Sequence, residues 1–311
     1  MSLSIPFMAR APSRTAAIIG AVALAVLLAG CSAVRLGYNT APTLTYWWLD
    51  SYFDFNGEQS LRIRADLQAV QDWHRKEEVP LLINTLKELQ GMAPRPTTPA
   101  QVCGIVTSLQ TRLQVSLDRF APAIATLAPT LQAAQIEQVA AEFAKLDKKW
   151  REVWLEGTLS ERSERRIKQI VERAETLYGS LDATQIAMVK AQVQISSFDG
   201  SRNQREMQRR HQDALKVLNN LLTVKVSAAQ AAADIRGLLD RSLKAPDPAY
   251  RQYIDQLTQE SCTATAAIHN SSSSRQRAHL LQKLQDYEGD ALALAGQSPQ
   301  AASNRSAPRA L

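Results

Sequence analysis

The chain has 311 residues with 36 Lys and Arg, 30 Asp and Glu, and a formal net charge of +6. That surplus is too small for this length to require a nucleic-acid partner, and the length allows one or two domains with real cores. Gly and Pro are scarce and sit at breaks, Ala, Leu, Gln, Arg and Glu dominate, and no convincing run alternates β-branched residues, so an all-α protein is expected.

The first element is an export segment. Arg10 and Arg14 form a positive region, Ala16 to Leu28 an apolar one, and Leu28-Ala29-Gly30-Cys31 closes it. About 15 apolar residues are marginal for a membrane span. The layout resembles a bacterial lipoprotein signal. The resemblance implies cleavage after residue 30, lipid on the Cys31 sulfur, and acylation of the new amino group. Ser32 in place of Asp resembles the sorting signal for the outer membrane, so the expected address is that membrane, facing the periplasm. One acyl chain holds a protein only reversibly, at about 0.8 kcal/mol per buried methylene, whereas two or three make attachment effectively permanent. Without residues 1–30, which include Arg10 and Arg14, the surplus falls to +4.

Residues 31–43 are expected to be a tether of at most about 40 Å, residues 44–295 a helical domain, and residues 296–311 a disordered tail. A first helix from about Leu44 to Phe53 carries Tyr46, Trp47, Trp48, Tyr52 and Phe53. Coming directly after the tether, these rings read either as core or as an interfacial helix touching membrane or partner. Asn56-Gly57-Glu58-Gln59 is a capping box opening a long helix that Pro80 should kink or split. Thr98-Pro99-Ala100-Gln101 opens the next, which Pro122 and Pro129 should interrupt.

Further helices are expected from about Gln132 to Glu156, from Thr158 or Ser160 to Gly179, from Asp182 to Ser197, and from Arg202 to Leu222. Three more follow Ser227, Asp247 and the polar run Asn270 to Ser274. Short connections suit antiparallel neighbours in an irregular, elongated bundle. Within Ser160 to Arg173, Glu161 with Arg165 and Glu164 with Lys168 stand at pairing distance along a helix. Arg202, Arg205, Arg209 and Arg210 have fewer acidic neighbours and are the candidates for touching headgroups.

A cap followed three residues later by Gln recurs at Asn56, Thr98, Asp182 and Ser227, with Gln132 to Gln135 a looser copy. It reads either as ordinary helix starts or as a weak likeness to the Leu-Thr-x-x-Gln motif of small periplasmic chaperones. Beside Cys31, Cys103 and Cys262 are either a disulfide pair or two separately buried thiols.

No catalytic constellation, cofactor motif or metal set stands out. His74, His211, His269 and His279 are isolated. Asp50 and Asp54, one turn apart, are the only carboxylates worth weighing as an acid and base. Tyr38-Asn39, then Tyr46 to Phe55, Gln59 and Trp73-His74-Arg75 resemble a group of bacterial outer-membrane-type lipoproteins catalogued as a domain of unknown function. Membership implies a helical periplasmic lipoprotein and no activity. The expected role is therefore non-enzymatic: envelope maintenance or binding of another envelope protein. A chaperone-like client binder is the alternative, and an enzyme on lipid or cell-wall material comes third.

Overall fold

The computed structural model describes the backbone of residues 14–224 and 226–296, and side chains of residues 33–224 and 226–296. The expected tail from residue 297, the first 13 residues and the Cys31 side chain lie outside that description.

The described residues are predominantly helical, with short connections between the helices, and contain no strand. In order they form α1 (Arg14–Phe53), α2 (Gly57–Trp73), a π-turn (His74–Glu78), α3 (Val79–Met92), α4 (Pro99–Leu127), α5 (Ala133–Trp154) and α6 (Leu159–Tyr178). Then come α7 (Ala183–Ile195), α8 (Gly200–Thr223), α9 (Ala228–Leu243), α10 (Pro248–Ser271) and α11 (Ser274–Ala295).

Side chains fix most starts. Asn56, Thr98, Thr158 and Asp182 each accept from the N3 amide while the N3 side chain returns to the cap amide. Gly157 and Gly179, with φ of 84° and 74°, supply the left-handed breaks on either side of α6. Asp54 holds φ at 47° between α1 and α2, a conformation Asp tolerates better than most.

One proline expectation is corrected: Pro122 leaves α4 unbroken to Leu127. The helix is divided at Pro80, which sits at the start of α3 directly after one wide turn at His74–Glu78.

The largest correction concerns residues 31–43. They are not an extended tether but part of α1, which continues to Phe53. At 1.5 Å per residue, Cys31 stands about 10 Å upstream of Tyr38 along the helix. The helix also carries Pro42, which has no N–H and so orphans the Tyr38 carbonyl one turn back. Gln71 of α2, largely buried, donates its side-chain amide to that carbonyl. Arg35 pairs with the buried Asp290 of α11 at 3.0 Å. The stretch read as free chain is therefore bolted to the bundle.

The bundle has two main cores. One gathers Tyr46, Phe55, Ile63 and Leu67 with Ala121, Ala125, Ile136, Leu218, Leu221 and Ile235 from α4, α5, α8 and α9. The other gathers Ala93, Tyr178, Leu181, Val189, Ile268, Leu280 and Leu284 from α3, α6, α7, α10 and α11. Helix α4 crosses from α10 to α9, and α3 lies along α11. Cys103 and Cys262 are joined, with Cα atoms 5.5 Å apart, so a bridge across 159 positions ties α4 to α10.

Candidate functional site

Helix geometry sorts α1 into two faces. At 100° per residue, Arg35, Tyr38, Pro42, Tyr46, Leu49 and Phe53 fall within an arc of about 80°, and Leu36, Leu44, Trp47 and Trp48 within about 120° on another side. The structure obeys this division. Tyr46 is buried in the first core, and half-buried Phe53 stacks on Phe55 at 5.3 Å. Tyr52 is half-buried, its ring 6.3 Å from that of Phe143. Trp47 and Trp48 are each 58% exposed, with Leu36 and Leu44 also open. The aromatic run is thus not one contact surface. Tyr46 and Phe53 are core because their arc faces α2 and α5, and the outward set is the two tryptophans with two leucines. Arg64 of α2 borders that face, its guanidinium 3.3 Å above the Tyr46 ring and 5.3 Å from Trp47.

The inward face meets the π-turn. Tyr38 Oη lies 2.9 Å from His74 Nδ1, and Arg75 donates to Asn39 Oδ1 at 2.9 Å. Arg75 also stands 5.6 Å from the Tyr38 ring centroid. Two pairs separated by 36 positions, Tyr38-Asn39 and His74-Arg75, thus dock residue against residue. The π-turn makes this register available, since its extra residue rotates His74 and Arg75 toward α1. Burial pushes the Tyr38 phenol above its ordinary value and the His74 imidazole below 6.5, with Arg75 and Glu78 opposing each shift in part. Glu78 is buried too, its carboxylate 3.6 Å from Arg112 of α4. The junction is a polar joint in which Arg75 and Glu78 are both buried.

Asp50 and Asp54 border one open cleft of about 430 Å³, with Ser51, Gln135 and Gln138. Asp50 is already engaged by the Tyr46 hydroxyl at 3.3 Å and the Phe55 amide at 3.0 Å. His74 is not in that cleft but in the α1 joint. The other histidines are engaged as well: His211 with Asp147 at 3.1 Å, His269 with Tyr178 at 3.0 Å, and His279 with the Leu177 carbonyl at 3.0 Å. Among the described residues, no group of three His, Cys, Asp or Glu side chains could hold a metal ion.

Of the four arginines of α8, Arg205 is exposed, Arg202 lies 4.8 Å over the Tyr253 ring, and the other two are tied inward. Arg209 and Arg210 each reach the buried Glu206 at 2.8 Å, and Arg241 reaches Asp213 at 2.8 Å. Burial pulls the Glu206 carboxyl up, but hydrogen bonds from Arg209 and Arg210 outweigh it and hold the group below the usual range. Of the expected pairs within α6, Glu161 and Arg165 still feel each other's charge, while Glu161 also serves the Thr158 cap and Arg165 donates to the Val153 and Glu156 carbonyls; Glu164 instead accepts from Ser160, and Lys168 pairs with Glu172 at 3.9 Å.

The recurrent capped glutamines have a structural use. Gln59 and Gln135 are buried and exchange amide hydrogen bonds at 2.8 and 3.2 Å, joining the starts of α2 and α5. Gln185 and Gln276 do the same at 2.9 and 3.0 Å for α7 and α11. Two helix starts are thus sewn together twice over. These four side chains are engaged in holding the fold together. The partner Gln276 was hidden in sequence because the polar run ahead of α11 reads as a separator; Ser273 with Gln276 is a fifth cap-x-x-Gln box.

The class defined here is an all-α multi-helix bundle whose N-terminal helix carries a bare aromatic face outside and a polar joint inside. The chain matches a family of unknown function (DUF6279) over residues 51–241, and it belongs to that family. The match includes Gln59 and Trp73-His74-Arg75 and begins downstream of Tyr38-Asn39 and Trp47-Trp48. No curated protein and no solved structure matches the chain.

Proposed function

We propose that this protein is a lipid-anchored component of the bacterial envelope. Cys31 carries the acyl chains, α1 rests its Leu36, Leu44, Trp47 and Trp48 face on the periplasmic surface of the outer membrane, and the bundle stands above it. Its role is non-enzymatic, binding another envelope protein or maintaining the envelope. The observation that carries this reading is positional. The exposed stripe lies on the same continuous helix as Cys31, so anchor and aromatic face form one rigid unit. Indole rings and an arginine at its border are the side chains that settle at headgroup level. Among the described residues, no helix is long and apolar enough to cross a membrane, and attachment is assigned to the lipid.

Fractionation of cells producing the parent chain, Cys31→Ser and a Trp47→Ser/Trp48→Ser double variant tests it. The first substitution should leave an unprocessed chain missing from the outer-membrane fraction. The double variant should be processed normally. A Cys31→Ser chain that is cut and fractionates like the parent refutes the proposal.

A further inference from the structure

We propose that the cleft enclosed by α3, α4 and α11 is a binding site for one acyl chain. The cleft holds about 380 Å³ and is walled by Leu86, Leu89, Ile105, Val106, Leu280 and Leu284, with Tyr178 and His269 at its side. No Asp, Glu, Lys or Arg lines it. The Tyr178 and His269 side chains that border it are taken: Tyr178 Oη meets His269 Nδ1 at 3.0 Å, and His269 Nε2 meets the Arg95 carbonyl at 2.8 Å. With walls this apolar, the cleft suits an uncharged apolar occupant, and a charged one there would lose its hydration without an ionic partner.

Size and shape narrow the class. An apolar cavity of about 150 Å³ accepts benzene, so 380 Å³ scales to roughly fifteen carbons. The walls are long rather than round. Leu86 to Ala93 on α3 and Leu280 to Tyr287 on α11 each run two turns, about 10 Å. On α4 the stripe Val102, Val106, Leu109 and Leu113 runs about 17 Å, and its last two members are 42% and 51% exposed. A slot that continues into an open apolar track suits a chain that slides in lengthwise better than a fused ring system.

The hollow is also held open. Helix α4 packs mainly on α9 and α10 rather than on α3. The Cys103–Cys262 bridge pins it to α10 at one end of the cleft, and Arg112 with Glu78 spans the α3 side at the other. Unconstrained, apolar walls close over such a gap, because empty space forfeits contacts.

Photolabelling of the full-length protein in lipid nanodiscs tests the site. One arm uses palmitate carrying a diazirine near the chain end, and the other uses phosphatidylethanolamine with the same group in one acyl chain. Label should concentrate in segments 86–93, 102–113 and 280–287 and be displaced by unlabelled palmitate. Val106→Trp, at a half-buried position, should cut that label about tenfold while leaving label near Trp47 unchanged. Leu86→Phe, from the opposite wall, serves if the first variant melts early. Labelling by either arm or both supports the site and names the source of the chain. Absence of label in the three segments, indifference to both variants, or displacement by an unfolded polypeptide but not by palmitate overturns it. Labelling of the Cys31→Ser chain should match the parent, so this outcome is separable from the fate of the anchor.

Discussion

Replacing Gln135 with Ala should cost far more than replacing Gln101 with Ala, although both are the fourth residue of a capping box. Gln101 is exposed and serves only its own helix start, and its loss should cost about 0.5–1 kcal/mol. Gln135 is buried; its amide donates to the Phe53 carbonyl at 2.9 Å and the Asp54 carbonyl at 3.1 Å as well as to Gln59. Truncation leaves two carbonyls and half of the Gln59 amide without partners. At about 1–1.5 kcal/mol for each poorly rehydrated group, the loss is roughly 2–4 kcal/mol. Urea titration followed by circular dichroism reads the difference, because a slope near 3 kcal/mol/M converts it to a midpoint shift of about 1 M. A double-mutant cycle with Gln59→Ala should give a coupling of about 1–2 kcal/mol. A Gln135→Ala chain as stable as Gln101→Ala, or a coupling near zero, would show that the paired glutamines are ordinary caps.

Three further outcomes follow from the same geometry. Reducing the Cys103–Cys262 bridge should lower stability by up to about 5 kcal/mol in the chain-entropy view, and alkylation should add mass only after reductant. For His74, burial lowers the folded pKa below the unfolded value of 6.5, so the unfolded chain binds the proton more readily. Its contribution is therefore complete above pH 6.5 and declines as pH falls from there toward the depressed folded value; calorimetry across pH 7.5 to 5 should show a smaller decline in His74→Phe. Trp47→Ser with Trp48→Ser in the Cys31→Ser chain should weaken vesicle binding by roughly tenfold or more, since each half-buried ring contributes about 1 kcal/mol; equal binding by both chains would remove the aromatic face from the account.

Much of the helical plan was legible because it is written in local chemistry. Asn56, Thr98, Thr158, Asp182 and Ser227 mark starts by side chains that reach only three residues, and Gly157 and Gly179 mark stops by backbone freedom. What depended on distant neighbours was not legible. Residues 31–43 look like linker, with Gly37 and Pro42 in a short polar stretch, yet Gln71 and Asp290 stabilise them from 33 and 255 positions away. Arg209 and Arg210 of α8 look free until Glu206 is seen to be buried between them. The joint of Tyr38-Asn39 with His74-Arg75 was visible as two unconnected signatures, and only the π-turn brings them into register. The acyl-chain cleft left no mark at all, because Leu and Val at helical spacing read as core whether or not anything packs against them.

The central claim is that this chain is held at a membrane by lipid on Cys31. The intact mass of the protein extracted from envelopes tests it most directly. The account predicts a chain that begins at Cys31 and carries the added mass of a diacylglyceryl group and an amide-linked acyl chain. A mass that retains residues 1–30, or a Cys31 with a free thiol, contradicts it.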